Sequence, residues 1–483
     1  MQVQLRKEYF LWTIIALYVV VFGAFTSFRH YNFYTQTWDM GAFVQTMWNT
    51  TQGRIMFNNI EEIHNTLGVH MSPWLFALVP GYLLFQSPYY LLIVQTIALA
   101  LGAIPAYLLA YHILRKKSYA LAFATNYLLY PALHWINSYD FHPVSFAVPF
   151  LLGAFYFFEK RNLLWMTIFL ALAASTREDI ILVVLFFGFF VLAQNKTDAP
   201  LKATRERKIG ATIALCAIVY FLLAIKVIMP SLGGGLLRLD RYAHLGSSFS
   251  EIATTAITNP ALIAKTILAP EKILYFLWLF IPVAFLPFFS WRSLILVIPG
   301  LVENMLTTFP FQFTGLYQYD SVLVAGILYG AIRGAHTVIS RWPRKRKVVL
   351  GIIISAMILG FTARSPLNPF FFPTFVFRSS PRADAFREIV KSVPDGTPLA
   401  ANTNLIPHLS HREHAYMLGD EPPNIDLVII DAQDPTGFAS AEDFQSYVER
   451  YAQSEDYSVQ IFRDRYFIFH RKGASEPLLL SSQ

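Results

Sequence analysis

Charge is what this chain has least of. Only 14% of its 483 residues are Asp, Glu, Lys or Arg, against roughly 25% in soluble domains. Hydrophobic residues make up 55%, aromatics 16%, and mean hydropathy is +0.44. That balance excludes a soluble globular domain and points to an integral membrane protein. Cysteine is almost missing too. Cys216 stands alone in an apolar run, which rules out an internal disulfide and a cysteine metal cluster. No HExxH, CxxC, GxxxxGK[ST] or GxSxG motif occurs, against an ATP-driven pump or a serine hydrolase. The ~10-residue alternating strands of an outer-membrane barrel are absent as well, leaving a helical bundle. No small-residue cleavage site follows the first apolar run, Tyr9 to Phe28, so that run is read as a retained helix rather than a signal peptide.

What charge there is divides unevenly. From Arg364 onward there are 11 basic and 16 acidic residues; the rest of the chain holds 27 basic and 15 acidic. Basic residues of membrane proteins gather in cytoplasmic loops, so the clusters Arg6-Lys7, Arg115 to Lys117, Lys160-Arg161, Lys202 to Lys208 and Arg341 to Lys347 mark that side, and nucleic-acid binding is not implied. Helices of about 20 residues threaded between these anchors give about eleven transmembrane spans. The segment 73–85 is too short to span and is expected as a juxtamembrane helix on the outer surface. After the basic loop 195–208, a long outer loop covers about 230–270, and spans are expected over 272–290 and 293–310. The tail alternates helix-like PRADAFREIVKSV and AEDFQSYVER with strand-like PLAAN, IDLVII and the pair YSVQIF/RYFIFH, a small α/β domain. The expected architecture is therefore an α-helical polytopic membrane domain over 1–363, with its first outer loop at 29–72, and an extracytoplasmic α/β domain over 364–483. The N-terminus would be cytoplasmic.

The threading places the other polar features at outer helix ends. Asp39 lies among Tyr31, Phe33, Tyr34, Trp38, Phe43 and Trp48, which read either as interfacial belt residues or as sugar-stacking platforms. Glu61 and Glu62 read as a solvated turn. In Asp140-Phe141-His142-Pro143, Asp140 suits a helix cap and Pro143 a first turn; His142 is left over, as are His134 and Trp135 before it. Arg177-Glu178-Asp179 is either a hairpin turn in which Arg177 and Glu178 neutralise each other or a functional cluster, with Arg177 suited to phosphate. Gln318-Tyr319-Asp320 sits at the same level. Gly233-Gly234-Gly235 precedes Arg238, Asp240, Arg241, Tyr242 and His244, either a disordered loop or a hinged one closing over an anionic head group. Glu303 and Asn304 are expected to face the bundle interior.

The segments WDMGAFVQTMWNTTQG (38–53), GVHMSPWLFALVPGYLLFQSP (68–88), LALGAIPAYLLAYHIL (99–114), LLYPALHWINSYDFHP (128–143), STREDI (175–180) and ANTNLIPHLSHREHAYML (401–418) closely resemble the polytopic membrane-protein family catalogued as domain of unknown function 2079. That family resembles the GT-C superfamily of membrane glycosyltransferases, which includes protein mannosyltransferases, oligosaccharyltransferase catalytic subunits and lipid A aminoarabinose transferases. The resemblance implies a GT-C-like fold, an essential acidic residue in the first outer loop at Asp39, and His70-Met-Ser-Pro73 at the start of the juxtamembrane helix. It implies donors that are sugars on a polyprenyl phosphate. GT-C loops often hold an acidic pair, whereas Asp39 is followed by Met40; its partner must come from Asp140, Glu178 or Asp179, or less readily Glu61 or Glu62.

The function expected on these grounds is transfer of a hexose or pentose from a polyprenyl-phosphate donor to a lipid, glycan or protein acceptor at the extracytoplasmic face of the cell membrane. Asp39 would be the catalytic residue. Arg177, Glu178, Asp179, Asp140, His142, His70, Trp38, Arg241 and Tyr319 would bind substrate or its phosphate. A divalent cation on Asp39 and Asp140 is the one cofactor left open. The alternatives are a lipid or solute transporter, which would carry mid-membrane charges and two related halves, and a scaffold whose tail binds a partner.

Overall fold

The computed structural model describes residues 8–194, 200–474 and 476–480, without the side chains of 200–205. Arg6, Lys7 and the start of the 195–208 basic segment fall outside them. Helix α1 (Tyr9–Tyr31) leads through a π-helical turn, Thr37–Gly41, into α2 (Ala42–Thr51). The ten-residue α3 (Leu75–Leu84) is too short to span, as its proline-bounded sequence implied. The helices α4 (Pro88–Leu101) and α5 (Ala103–Leu114) run as one apolar stretch of 27 residues. They are followed by α6 (Lys117–Leu128), α7 (Pro131–Ser138), α8 (Ala147–Glu159), α9 (Leu163–Ala174) and α10 (Glu178–Leu192). Next come α11 (Pro200–Leu223), α12 (Phe249–Thr258), α13 (Pro260–Ile267), α14 (Pro270–Phe280), α15 (Ile298–Leu306), α16 (Ser321–Arg341) and α17 (Arg346–Arg364).

Among the described residues, five helices are long and apolar enough to cross a membrane: α1, the α4–α5 stretch, Glu206–Ser231, Gln318–Arg341 and Pro343–Arg364. A sixth arises if α13 and the segment from Pro270 to Val283, bent by 63°, count as one span. The protein is thus a multi-pass helical membrane protein, though eleven full-length spans are not what its helix lengths give. The largest departure is at 272–310. Two continuous helices were expected there, but α14 gives way to 3-10 turns at Ile281–Val283, Leu286–Phe289 and Trp291–Val297 before α15 begins. Pro282 and Pro287 lack an N–H and clash with the preceding turn, while Ala284 and Phe285 between them adopt φ of 54° and 53°. Two further corrections concern loops. The basic segment becomes helical at Pro200, and the outer loop 230–270 contains α12 and α13.

The basic clusters meet at one end of the bundle. Lys117 pairs with Glu8 at 2.8 Å, Arg161 lies 3.8 Å from Glu206, and the Tyr119 hydroxyl donates to the carbonyl of Arg346. Glu159 accepts from Tyr329 and Arg333, both at 2.6 Å. Loops at the opposite end carry Asp39, His142 and Arg177.

The tail also lies at the Asp39 end. Helix α18 (Pro381–Ser392) precedes β1 (Leu399–Ala401), a single turn α19 (Ile406–Leu409), β2 (Ala415–Met417), β3 (Leu427–Asp431), α20 (Ala441–Ala452), β4 (Tyr457–Phe462) and β5 (Tyr466–Arg471). The sheet order is β2-β1-β3-β5-β4. The strand β1 pairs in parallel with β2 and β3; β5 runs antiparallel to β3 and β4. Alternate residues feed two cores. Ala400, Val428 and Ile430 pack with Tyr447 and Tyr451 of α20. Leu399, Leu427 and Ile429 pack with Phe386, Ile389 and Ile406, and this second core also takes in Phe33, Ala42 and Ile60 from the chain after α1. Burying a Phe or Ile contributes roughly 1.5–3 kcal/mol, so the Asp39 loop belongs energetically to the tail as well as to the bundle.

Candidate active-site cavity

Asp39 sits on the π-helical turn, which closes through Gly41 N–H donating to Gln36 O at 3.1 Å, five residues back. Such π-turns recur at functional sites because they re-aim a side chain. Here the turn directs the Asp39 carboxylate at His142, whose Nε2 lies 2.7 Å from Oδ1. His142 is fixed in turn. Its backbone N–H donates to Gln95 Oε1 at 2.8 Å, and its Nδ1 meets the carbonyl of Asp140 at 3.1 Å. The Tyr139 ring stacks on it at 5.6 Å. Burial opposes ionisation of Asp39, but the charge and hydrogen bond of His142, the Tyr139 hydroxyl and His70 together hold its carboxyl below the usual range.

A second constellation lies opposite. His70 Nδ1 is 2.8 Å from Glu178 Oε1, and Met71 N–H donates to Glu178 Oε2 at 2.9 Å, tying the HMSP segment to the start of α10. Arg177 donates through Nε to Asp179 Oδ2 at 2.9 Å and lies 4.0 Å from Glu303. The pairing anticipated between Arg177 and Glu178 does not form. Arg177 is already paired with Asp179, which weakens its case as a phosphate ligand. Arg241 differs. It rests 4.0 Å over the Phe309 ring and reaches Gln312 Oε1 at 3.3 Å and Tyr319 at 3.4 Å. Among the described residues neither Arg241 nor Arg238 has a carboxylate within ion-pair distance.

These groups face one cavity of about 860 Å³, within the range of small-molecule sites. Asp39, Trp38, His70, His142, Arg177, Glu178, Asp179, Arg241 and Tyr319 all line it, brought from loops hundreds of residues apart. Apolar side chains line it too, among them Leu182 and Phe186 of α10, Phe221 of α11, and Ile298 and Val302 of α15. The strap after the triple glycine covers it. Gly233 has φ of +82°, Gly235 N–H donates to Gly68 O at 3.1 Å, and a Cβ on Gly234 would meet Gly68 O at 1.8 Å. The strap is docked rather than loose, and Arg238, Asp240 and Tyr242 join Arg241 in the lining while His244 does not.

Several expectations need correction. Asp140 stands outside the lining. It accepts from Gln36 N–H at 2.8 Å and lies 3.9 Å from Arg29, so it fastens the start of the π-turn to α1. Burial pushes its carboxyl up to about 6 despite Arg29, with the Asp39 charge adding to the rise. A cation held by Asp39 and Asp140 does not fit this donor set, because the second carboxylate faces a guanidinium and a backbone N–H. Among the described residues no three His, Cys, Asp or Glu side chains group as metal ligands. Glu61 is no solvated turn residue: it lines the cavity, accepts from Asn58 at 3.0 Å, and burial pushes its carboxyl up. The aromatic surround disperses. Trp38 and Phe43 line the cavity, Phe33 enters the tail core, Tyr31 lies under Arg387, and Trp48 lies under Arg54. His134 bonds Ser365 and the Leu128 carbonyl, and Trp135 the Arg364 carbonyl, which makes both structural. Glu303 does face inward, but into the cavity; Asn304 is buried against Tyr275. Tyr139 and Gln95 went unrecognised. Tyr139 lies beside Asp140 in SYDFHP, whereas nothing local marks Gln95.

A family model described as a predicted membrane protein, domain of unknown function 2079, matches residues 29–467. No curated protein matches. Among solved structures, ArnT from Cupriavidus metallidurans in the apo state superposes with a TM-score of 0.52 at 11% identity, over 95% of this chain and 97% of that one. The archaeal oligosaccharyltransferase AglB from Archaeoglobus fulgidus, in complex with an inhibitory peptide and a dolichol-phosphate, aligns at 12% identity over 98% of this chain and 75% of that one, with a TM-score of 0.47. The chain belongs to the DUF2079 family of membrane proteins, and its fold resembles that of the GT-C membrane glycosyltransferases.

Proposed function

We propose that this protein is a membrane glycosyltransferase that moves a sugar from a polyprenyl-phosphate donor to an acceptor hydroxyl at the extracytoplasmic face. The observation that carries the reading is the cavity's division of labour. Asp39, hydrogen-bonded to His142, lines it together with Arg238 and Arg241, which among the described residues have no carboxylate within ion-pair distance, and apolar side chains of α10, α11 and α15 line the same cavity. A lipid-linked anion has both needs. The basic clusters at the other end of the bundle support this sidedness, by the excess of Lys and Arg on cytoplasmic loops.

The acceptor oxygen attacks the anomeric carbon as the bond from that carbon to the phosphate oxygen breaks. The bonding pair leaves with the phosphate, and the acceptor proton passes to Asp39. His142 orients the carboxylate, and the depressed affinity of Asp39 for protons keeps it ionised at neutral pH. Arg241 and Arg238, rather than Arg177, receive the charge that builds on the departing phosphate. Arg177 holds Asp179 and Glu303 in place.

Donor turnover tests the reading. Full-length protein in nanodiscs should consume a polyprenyl-phosphate-linked sugar and release polyprenyl phosphate. No consumption across a panel of hexose and pentose donors, together with no binding of polyprenyl phosphate, overturns it.

A further inference from the structure

The tail segment ANTNLIPHLSHREHAYML (401–418) has no place in the cavity lining, yet it touches almost every part of the loop that carries Asp39. Thr37, the first residue of the π-helical turn, is gripped twice. Its backbone N–H donates to Thr403 Oγ1 at 3.2 Å and its hydroxyl donates to the Thr403 carbonyl at 2.9 Å. Asn404 donates to Thr35 O at 3.2 Å. At the other end of the turn, a Cβ on Gly41 would stand 3.0 Å from Ile406 Cγ2, so α19 presses directly against the backbone that closes the turn. Further along, Gln45 donates to the carbonyl of Glu413 at 3.0 Å. Asn59 exchanges hydrogen bonds with Ala415, donating to its carbonyl at 2.8 Å and accepting from its N–H at 3.1 Å.

The placement follows from the tail's topology. β1 is flanked in parallel by β2 on one side and β3 on the other, and the connection leaving β1 runs to β2 on one side while the connection leaving β3 runs to β4 on the other. In open α/β sheets the loops at the carboxyl ends of such a pair form the ligand-binding crevice. Here the loop leaving β1, Asn402-Thr403-Asn404, is held to the loop leaving β3, because Asn402 Oδ1 accepts from Asp431 N–H at 2.6 Å and Asn402 Nδ2 donates to the Asp434 carbonyl at 3.0 Å. What this edge presents is Thr403, and Thr403 holds Thr37. The place where a free α/β domain would bind a ligand is spent on the Asp39 turn.

We infer that Thr403 is a positioning residue for Asp39: the tail uses its sheet edge to fix the π-helical turn, and thereby aims the carboxylate at His142 and the acceptor. The inference deepens the proposed glycosyl transfer and rests on it for the word acceptor; the clamp itself does not. A π-turn carries one residue more than an α-turn, and its first N–H, like that of any helix, has no partner inside the helix; the Thr403 hydroxyl supplies one. Removing that hydroxyl leaves the Thr37 N–H unpaired in a buried position, and the turn gains a reason to relax to α geometry, which rotates Asp39 away.

The test uses full-length Thr403→Val and Thr403→Ser proteins in nanodiscs with two independent readouts. Hydrogen–deuterium exchange of the peptide spanning 35–43 is expected to speed up at least tenfold in Thr403→Val and to return to the wild-type rate in Thr403→Ser, with the melting temperature of Thr403→Val within a few degrees of wild type. Donor turnover is expected to fall tenfold or more in kcat with KM little changed, and its acid limb to move to higher pH as Asp39 loses His142. Wild-type exchange in Thr403→Val overturns the clamp whatever the turnover shows. Faster exchange with unchanged turnover and pH profile overturns the positioning role. If the wild-type protein turns over no donor while exchange responds as described, the glycosyl-transfer reading fails and the clamp stands.

Discussion

At the scale of single residues, neutralisation separates the two arginines that sequence alone could not rank. Arg177 pairs with Asp179 and lies 4.0 Å from Glu303, so replacing it strands the Asp179 carboxylate in a buried place. Breaking such a pair costs ~3–5 kcal/mol, and Arg177→Ala is expected to lower the melting temperature markedly. Among the described residues Arg241 hydrogen-bonds only neutral side chains, so Arg241→Ala should leave the fold intact and reduce kcat/KM for a phosphate-linked donor by ~10–100-fold, the weight of one or two charge-assisted hydrogen bonds. Thermal melts and turnover on the same preparations check both; equal effects of the two substitutions would contradict the assignment. Asp140 supplies a pH signature. Burial pushes its carboxyl up to about 6, above the 3.8 of a free aspartate, so between those values the native state binds more protons than the unfolded one and stability falls as pH rises. Asp140→Asn removes that proton linkage. The stability of the variant relative to wild type should therefore rise by up to ~3 kcal/mol from pH 4 to pH 6 and stay level above, as read from melts across pH. Asp39, Arg177 and His70 were legible because polar residues flanking apolar runs stand out. The His142–Asp39 contact was not, since 103 residues separate them.

At the scale of elements, local signals served where the element is local. Ser380 and Ser440 each accept from an N–H three residues on, and α18 and α20 begin where those caps fall. The short α3 is likewise written in its flanking prolines and its length. The three-residue β2 and the π-helical turn escaped because each exists through a neighbour: β2 through β1, the turn through Thr403. The broken segment from α14 to α15 was misread as two spans because hydropathy counts apolar residues and ignores what proline does to the backbone. The strap over the cavity makes its own prediction. With Gly234 in backbone contact with Gly68, Gly234→Ala cannot be accommodated by side-chain movement. It should undock residues 233–248, seen as faster proteolysis there and weaker binding of polyprenyl phosphate. Unchanged proteolysis would contradict the docked strap.

At the scale of the whole molecule, composition was enough to establish a multi-pass helical protein, and the charge division between the bundle and the tail located the change of character near Arg364. The division into a membrane domain over 1–363 and a tail domain over 364–483 remains our proposal, with one qualification from the packing. Phe33, Ala42 and Ile60 precede the boundary yet pack in the tail core. Pairing frequencies and hydropathy cannot reveal that the first loop and the last domain share a core, because the information lies in which surfaces meet rather than in either segment.

The most direct measurement is the rate of donor consumption by Asp39→Asn beside its affinity for polyprenyl phosphate, in full-length protein in nanodiscs at pH 7. The substitution keeps the size of the side chain and removes its charge. The account predicts turnover reduced by ~10²–10⁴-fold, with polyprenyl phosphate bound as tightly as by wild type. Turnover at the wild-type rate would contradict it.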